Sequence, residues 1–363
     1  MPTVRVRLGA RSYPTHVSPG ALDRLGPLTA ARHDSRHCAL ISSPRVYRHH
    51  GHRAERSLSQ AGFDVETLIA PDGERAKTPA QVAALHRRLA RARLERHDPL
   101  VVLAGGTLGD TAGFAAATYL RGVPLVQVPT TLMAQVDSAV GGKTGVNLEC
   151  GKNLVGAFWQ PGLVLCDPLV LDTLPEREFR SGLAEVVKYG CLASPALLVR
   201  LEAAFARGNP PGARELARWI TECVRIKAMV VSRDERESDV RRVLNLGHTF
   251  GHALETASGY GKLLHGEAVA LGLAVALWLS QRQAGLDPRF TDRIVNLLHH
   301  CFPRLAFPDV PWSDLAGALG ADKKRRNGRS LWVLLERPGR PVLASPAAMD
   351  VRRSVANARQ AWG

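Results

Sequence analysis

Pro99-Leu-Val-Val-Leu-Ala-Gly-Gly-Thr-Leu-Gly-Asp110 is the stretch on which the fold class turns. Its first six residues form an apolar run of strand length with two adjacent valines, bounded by proline and glycine. The glycines that follow let backbone approach a ligand closely, and 110–120 carries a helical pattern. A strand, a glycine turn and a helix in that order present free N–H groups and a positive dipole end to a phosphate. The spacing is not GxGxxG, so the turn alone suits a structural bend as well as a dinucleotide.

Similar short β-branched runs occur at 36–42, 63–70 and 124–128, and 78–95 is patterned as a helix. Strands alternating with helices imply parallel pairing, right-handed crossovers and ligands at the carboxyl ends of the strands. From about Pro175 the pattern becomes mostly helical, at 182–205, 211–232, 247–257, 265–284 and 288–301. The expected architecture is a Rossmann-like α/β domain over 1–174 and an all-α domain over 175–363. The cleft between the two is the expected active site.

Composition narrows the class. The chain has 363 residues, 45% of them hydrophobic, which is room for two domains with ample core. The longest apolar run, at 268–279, falls short of the roughly 20 residues that cross a bilayer. The start, Met1-Pro-Thr-Val-Arg-Val-Arg-Leu8, alternates like a strand and holds no apolar signal core. Six dispersed cysteines without a CxxC pair suit a reducing compartment. A cytoplasmic enzyme without membrane attachment is expected. The net charge of +15 is spread along the chain, densest at Lys323-Lys-Arg-Arg326, and dispersion of this kind marks a solvated surface rather than a nucleic-acid interface. An anionic small molecule fits the charge equally well.

Candidate metal ligands sit in the helical half: Glu185 in Leu183-Ala-Glu-Val-Val-Lys188, His248 and His252 in Asn245-Leu-Gly-His-Thr-Phe-Gly-His252, and His265 in His265-Gly-Glu267. One carboxylate with two imidazoles leaves a zinc position open, as catalytic sites do. His248 and His252 stand at i, i+4, on one face of a helix. Any single histidine among thirteen is more often an ordinary core or surface side chain, and spacing alone leaves open which of them bind.

The 48 cationic residues include only eight lysines: Lys77, Lys143, Lys152, Lys188, Lys227, Lys262, Lys323 and Lys324. Lysine offers a compact ammonium that arginine cannot imitate, and several of these lie in glycine-rich or acid-flanked motifs. Val136-Asp-Ser-Ala-Val-Gly-Gly-Lys143-Thr and Gly151-Lys-Asn153 resemble anion-binding loops, yet the P-loop pattern fails because Asp137 stands where its first glycine belongs. Pro71-Asp-Gly-Glu74-Arg-Ala-Lys77 and Pro129-Thr-Thr131 each follow a strand and bring polar groups to the same sheet edge.

Taken in order, Gly105-Gly-Thr-Leu-Gly-Asp110, Tyr119-Leu-Arg-Gly122, Pro129-Thr-Thr131, Gln135-Val-Asp-Ser138, Gly141-Gly-Lys-Thr-Gly145, Gly151-Lys-Asn153, Leu183-Ala-Glu-Val-Val-Lys-Tyr-Gly190, Asn245-Leu-Gly-His-Thr-Phe-Gly-His252, His265-Gly-Glu267 and Asp322-Lys-Lys324 resemble 3-dehydroquinate synthase, of the sugar-phosphate cyclase superfamily, over nearly the full length. The resemblance implies NAD contacted near Glu74, Lys77, Gly105, Gly106, Asp110, Thr130, Thr131, Asp137, Lys152, Thr173 and Glu178. It implies zinc, or cobalt in its place, on Glu185, His248 and His265, with His252 left for substrate. It implies substrate contacts from Arg121, Asp137, Lys143, Asn153, Lys188, Lys227, Arg241, Asn245, His252, Lys323 and Lys324. The implied substrate is 3-deoxy-D-arabino-heptulosonate 7-phosphate, converted to 3-dehydroquinate and phosphate in the shikimate pathway of aromatic amino acid biosynthesis, and the implied assembly is a homodimer.

The sequence departs from the family pattern at Ala104, where a glycine is usual, and at Ser42-Ser43, where an acid commonly reads the adenosine ribose. The cationic set of Arg241, Lys323 and Lys324 favours a carboxylated substrate over sedoheptulose 7-phosphate. An amino-substituted heptulosonate of secondary metabolism is the alternative. A metal-dependent NAD polyol dehydrogenase shares the architecture, but the lysine-rich substrate set and Gly-Gly-Lys143 argue against it.

Overall fold

A computed structural model describes residues 1–206, 211–259, 261–321, 325–326 and 329–362. It divides into two compact units, Met1–Pro175 with Gly212–Arg236, and Glu176–Pro211 with Glu237–Gly363.

The first unit is built on strands β1 (Thr3–Val6), β2 (Tyr13–Val17), β3 (His37–Ser42), β4 (Asp64–Ile69), β5 (Leu100–Ala104), β6 (Leu125–Pro129), β7 (Lys143–Leu148), β8 (Gly151–Phe158) and β9 (Leu163–Cys166). Seven of them form one sheet in the order β1-β2-β9-β6-β5-β3-β4, parallel except for the β1–β2 pair. Every residue of β5 and β6 is buried, as central parallel strands covered on both faces require, whereas edge strand β4 exposes Asp64 and Glu66. The helices Pro79–Arg91 and Gly106–Thr118 pack Val82, Leu85, Leu89, Leu108 and Ala112 onto Val102 and Ala104. Thr78 caps the first of them, its hydroxyl accepting from the Gln81 N–H, with Pro79 at the first helical position.

From β3 the chain adds β4 on one side, then returns to place β5, β6 and β9 on the other. The carboxyl ends of β3 and β5 therefore flank the point where strand order reverses, the place at which open α/β sheets bind ligands. The expected strands and helices lie within a few residues of the observed ones.

Three expectations are corrected. Helix Ala213–Arg233 belongs to the first unit rather than to the second, because its apolar face packs on β1 and on the turn Ala134–Ser138. The stretch 182–205 is two helices, Glu176–Ala193 and Pro195–Ala206, broken where Ser194 precedes a proline and so avoids the helical region. The second unit is helical but not all-α: Trp332–Arg337 and Arg340–Ala344 pair as an antiparallel ribbon, turned at Gly339 with φ +78° and burying Trp332, Val333, Leu334 and Leu335. Of the two stretches read as anion-binding loops, 136–142 lies in the turn Ala134–Ser138 and the residues after it, whereas Lys143-Thr144 and Gly151-Lys-Asn153 lie on the hairpin β7–β8.

Helices His248–Ser258 and His265–Ala284 cross so closely that a Cβ on Gly272 would lie 2.0 Å from the Gly247 carbonyl oxygen. Gly272→Ala is expected to cost about 1–3 kcal/mol by overpacking. Gly317→Ala, where a Cβ meets nothing within 4 Å, is expected to be neutral or stabilising by up to about 1 kcal/mol through helix propensity. Denaturant melts of the two variants against the parent measure the contrast, and equal loss at both would refute it.

Candidate active site

Within the second unit three helices converge on one carboxylate. Glu185 and Lys188 lie one turn apart on helix Glu176–Ala193, and their side chains are 1% and 2% exposed. The Lys188 ammonium sits against Glu185 Oε2. His248 opens helix His248–Ser258 and His265 opens helix His265–Ala284. His248 Nε2 is 3.4 Å and His265 Nε2 4.0 Å from Glu185 Oε1. The glycine of His265-Gly-Glu267 has a reason: a Cβ there would lie 1.8 Å from the Ser181 carbonyl oxygen, so only glycine lets the helix start seat against the helix of Glu185. Gly266 N–H donates to Ser181 Oγ, and Glu267 holds the helix entry by accepting from the Leu264 N–H and from Nε and Nη2 of Arg177.

The donors suit a metal ion. Glu185, His248 and His265 offer ligand atoms within 4.8 Å of one another. Both Glu185 oxygens are buried without a well-directed hydrogen bond, despite the Lys188 ion pair. Ligands at about 2.0–2.1 Å from a tetrahedral zinc stand roughly 3.3–3.4 Å apart, close to the His248–Glu185 separation. The second ring nitrogens are occupied as metal-binding imidazoles require: His248 Nδ1 donates to the Leu246 carbonyl at 3.1 Å, and His265 Nδ1 faces Glu255 Oε1 at 3.4 Å. Burial pushes the His265 pKa down, but the Glu255 and Glu185 carboxylates together outweigh it, and the net direction is upward.

A second grouping, His252, Glu255 and His265, overlaps the first. His265 cannot serve both through one nitrogen, and the buried, poorly satisfied Glu185 oxygens favour the first set. His252 then stands beside the site, its ring 5.5 Å from that of His248 and 5.7 Å from that of His265. Glu255 was missed in the sequence, although His248, His252 and Glu255 follow at i, i+4, i+7 on one helix face. Also in this unit, Arg241 is 2% exposed, Asn245 Nδ2 donates to Glu237 Oε1 at 2.8 Å, and Glu178 is exposed on the first turn of its helix. Lys323 and Lys324 lie outside the described residues.

The first unit gathers the other set at the sheet's carboxyl edge. Gly105 caps helix Gly106–Thr118 without a side-chain bond of its own, and a Cβ on Gly106 would meet Ser138 Oγ at 2.6 Å. Ala104, Gly105, Gly106, Gly109, Asp110, Ala134 and Ser138 line a small cavity at this helix start, and Ala104 is accommodated as the last residue of β5. Thr130 and Thr131 follow β6, where Thr131 Oγ1 accepts from the Ala134 N–H. Lys77 pairs with Asp110 at 2.6 Å, and burial pushes the Asp110 pKa up against the pull of that ammonium. Asn147 donates to Glu74 at 2.6 Å and accepts from the Asn153 N–H. Lys227 reaches across to Asp137, pairing with its carboxylate at 2.8 Å and donating to its carbonyl at 2.7 Å. Arg121 follows Leu120 in the left-handed region, at φ +64° and +48°, a costly conformation for two successive side chains. Lys143 is exposed at the start of β7, Lys152 is half-buried on β8, and Thr173 Oγ1 lies 2.8 Å from His50 Nε2.

Family models described as 3-dehydroquinate synthase N-terminal and C-terminal match residues 67–181 and 182–325. A 3-dehydroquinate synthase of Synechococcus sp. is 45% identical over 335 residues, covering 91% of this chain and 90% of that one. One from Pseudomonas fluorescens is 43% identical over 363 residues, covering 99% and 97%.

The chain belongs to the 3-dehydroquinate synthase family.

Among solved structures it is similar to a 2-epi-5-epi-valiolone synthase of Streptomyces hygroscopicus with NAD+ and Zn2+ bound, with a TM-score of 0.86 and 26% identity over 96% of this chain and 97% of that one. Glycerol dehydrogenase of Schizosaccharomyces pombe shares the fold alone, with a TM-score of 0.67 and 15% identity over 96% of this chain and 89% of that one.

Removing His265 as a ligand, as in His265→Ala, is expected to abolish zinc retention. Glu255→Gln keeps the side-chain shape but loses the carboxylate that fixes the His265 ring, and zinc affinity is expected to fall about 10- to 100-fold. Chelator competition at fixed pH measures both, and an unchanged affinity in Glu255→Gln would remove Glu255 from the site.

Proposed function

We propose that this chain is a 3-dehydroquinate synthase that converts 3-deoxy-D-arabino-heptulosonate 7-phosphate to 3-dehydroquinate and phosphate. The observation that carries the reading is the Glu185–His248–His265 cluster with Lys188 against it, in a chain of this family. When bound, NAD+ supplies reversible hydride removal and the divalent ion supplies Lewis acidity toward substrate hydroxyl oxygens.

The remaining work falls to the chain's own side chains. Gly105, Gly106 and the start of helix Gly106–Thr118 receive the dinucleotide pyrophosphate on backbone N–H groups, with Thr130 and Thr131 beside them. The paired Lys77 and Asp110, and Glu74 held by Asn147, orient the riboses and nicotinamide, with Lys152, Thr173 and Glu178 as further contacts. Glu185, His248 and His265 hold the ion. Lys188 and His252 orient the substrate beside it. Arg121, Lys143, Asn153 and Lys227 hold the phosphate and neighbouring oxygens, with Asp137 fixing Lys227. Arg241 and Asn245, with Lys323 and Lys324, take the carboxylate. Elimination of phosphate needs a proton removed from the carbon beside the oxidised centre, and the leaving phosphate held among these cations is itself a suitable base.

The functional assembly in this reading is a homodimer acting in the cytoplasm. Hairpin β7–β8 supports the first part, since Leu148, Leu154, Val155 and Phe158 are each more than a third exposed on it, an apolar surface that a second copy would cover. No helix of the described residues is long and apolar enough to cross a membrane. The cysteines of the described residues form no disulfide, and burial pushes the Cys38 and Cys191 thiols up to about 12.

Incubating the protein with the heptulosonate phosphate, NAD+ and zinc is expected to release one phosphate per substrate with no net NADH absorbance, because the hydride taken is returned. Steady NADH production would instead make the chain a dehydrogenase, and absence of phosphate release would refute the reading.

A further inference from the structure

The basic turn after β3 suggests a wider dinucleotide choice than the family resemblance implies. It rests on the dinucleotide reading above. Ser42, the last residue of β3, is in register with Leu103 of β5, two residues before the glycine turn at Gly105. The chain leaving β3 therefore runs one strand spacing, about 4.8 Å, from the path to the pyrophosphate site. In dinucleotide folds a carboxylate on the strand end beside the glycine turn hydrogen-bonds the adenosine ribose and disfavours a 2′-phosphate, whereas arginine there accepts one.

In this chain the segment reads Ser42-Ser-Pro-Arg45-Val-Tyr-Arg48-His-His-Gly-His-Arg53, with no acid between His37 and Ala54. Asp34 precedes β3 and is separated from its carboxyl end by the strand's own length, roughly 20 Å for six residues. Glu55 is occupied by the Tyr47 hydroxyl and by Thr67, and Arg53 by Asp23. Arg45 and Arg48 are exposed and make no ion pair among the described residues. Ser43 beside them is 1% exposed, and its hydroxyl has no hydrogen-bond partner among the described residues. The segment is held in place by the turn Tyr47–Gly51, where a Cβ on Gly51 would strike the Tyr47 ring at 2.2 Å, and by His50 against Thr173. The strand on the other side of β3 is followed by Asp72 and by Glu74, which is held by Asn147, so Asp72 is the rival reader of the ribose.

From this we infer that the chain binds NADP+ as well as NAD+, with Arg45 and Arg48 receiving the 2′-phosphate. The test is calorimetric titration of the whole protein, freed of dinucleotide, with NAD+ and NADP+ separately and then in competition. Dissociation constants within about tenfold of each other and mutual displacement are expected. The double variant Arg45→Ala, Arg48→Ala is expected to weaken NADP+ about 10- to 100-fold, the size of a lost charge-assisted contact, and to leave NAD+ within about threefold. Both positions are exposed, so the variant keeps the buried packing. NADP+ binding more than 100-fold weaker than NAD+ overturns this inference alone and points to Asp72. An unchanged NADP+ affinity in the double variant, or NADP+ binding that NAD+ does not displace, also overturns it. Binding of neither dinucleotide removes the reading on which it rests.

Discussion

The Glu185 carboxylate is the constraint from which the second unit's geometry follows. A buried carboxylate costs several kcal/mol unless its charge and its lone pairs are both met. Lys188, one helical turn away, meets the charge. It does not meet the lone pairs, and two imidazoles are turned toward the same oxygen. With His248 Nδ1 donating to a carbonyl, the neutral ring presents its Nε2 lone pair to an anion. That is repulsive without a cation between them. The helix crossings that enforce it are tight because glycine occupies positions 266 and 272, where any side chain would drive the helix starts apart.

The first unit meets a different demand. Its polar groups at the sheet edge are already paired with one another, Lys77 with Asp110, Glu74 with Asn147, and Lys227 with Asp137. Pairs of this kind fix side-chain directions before a ligand arrives, so less ordering remains to be done on binding. Asp137 is held twice by the same ammonium, through carboxylate and carbonyl, which locks the π-turn Ala134–Ser138 as well as the side chain.

Much of this was readable in the chain. Short continuous β-branched runs placed the central strands, which are buried on both faces, and helical patterning placed the long helices. They could not show that helix Ala213–Arg233 packs with the α/β unit, since an amphipathic face does not name its partner. Trp332-Val-Leu-Leu335 is a short apolar run that length alone cannot assign, and the second unit's ribbon was lost for that reason. At the site, spacing offered His248, His252 and His265 equally. The family resemblance chose His248 and His265, and the turning of both toward the buried Glu185 carboxylate fits that choice, while the second partner of His265 Nδ1 draws attention to Glu255.

The scarcity of lysine acquires a physical meaning from the structure. Lys77, Lys188 and Lys227 are buried, at 8%, 1% and 5% exposure, and each lies against a carboxylate: Asp110, Glu185 and Asp137. In a chain that otherwise takes its positive charge from arginine, these buried positions carry a compact ammonium that approaches carboxylate oxygens directly. Removing Lys188 would strand the buried Glu185 carboxylate and cost more than the pair contributed, whereas removing Lys77 or Lys227 would leave the half-buried Asp110 or Asp137 without its ammonium. Burial and a carboxylate partner set these three lysines apart from the arginines spread over the surface.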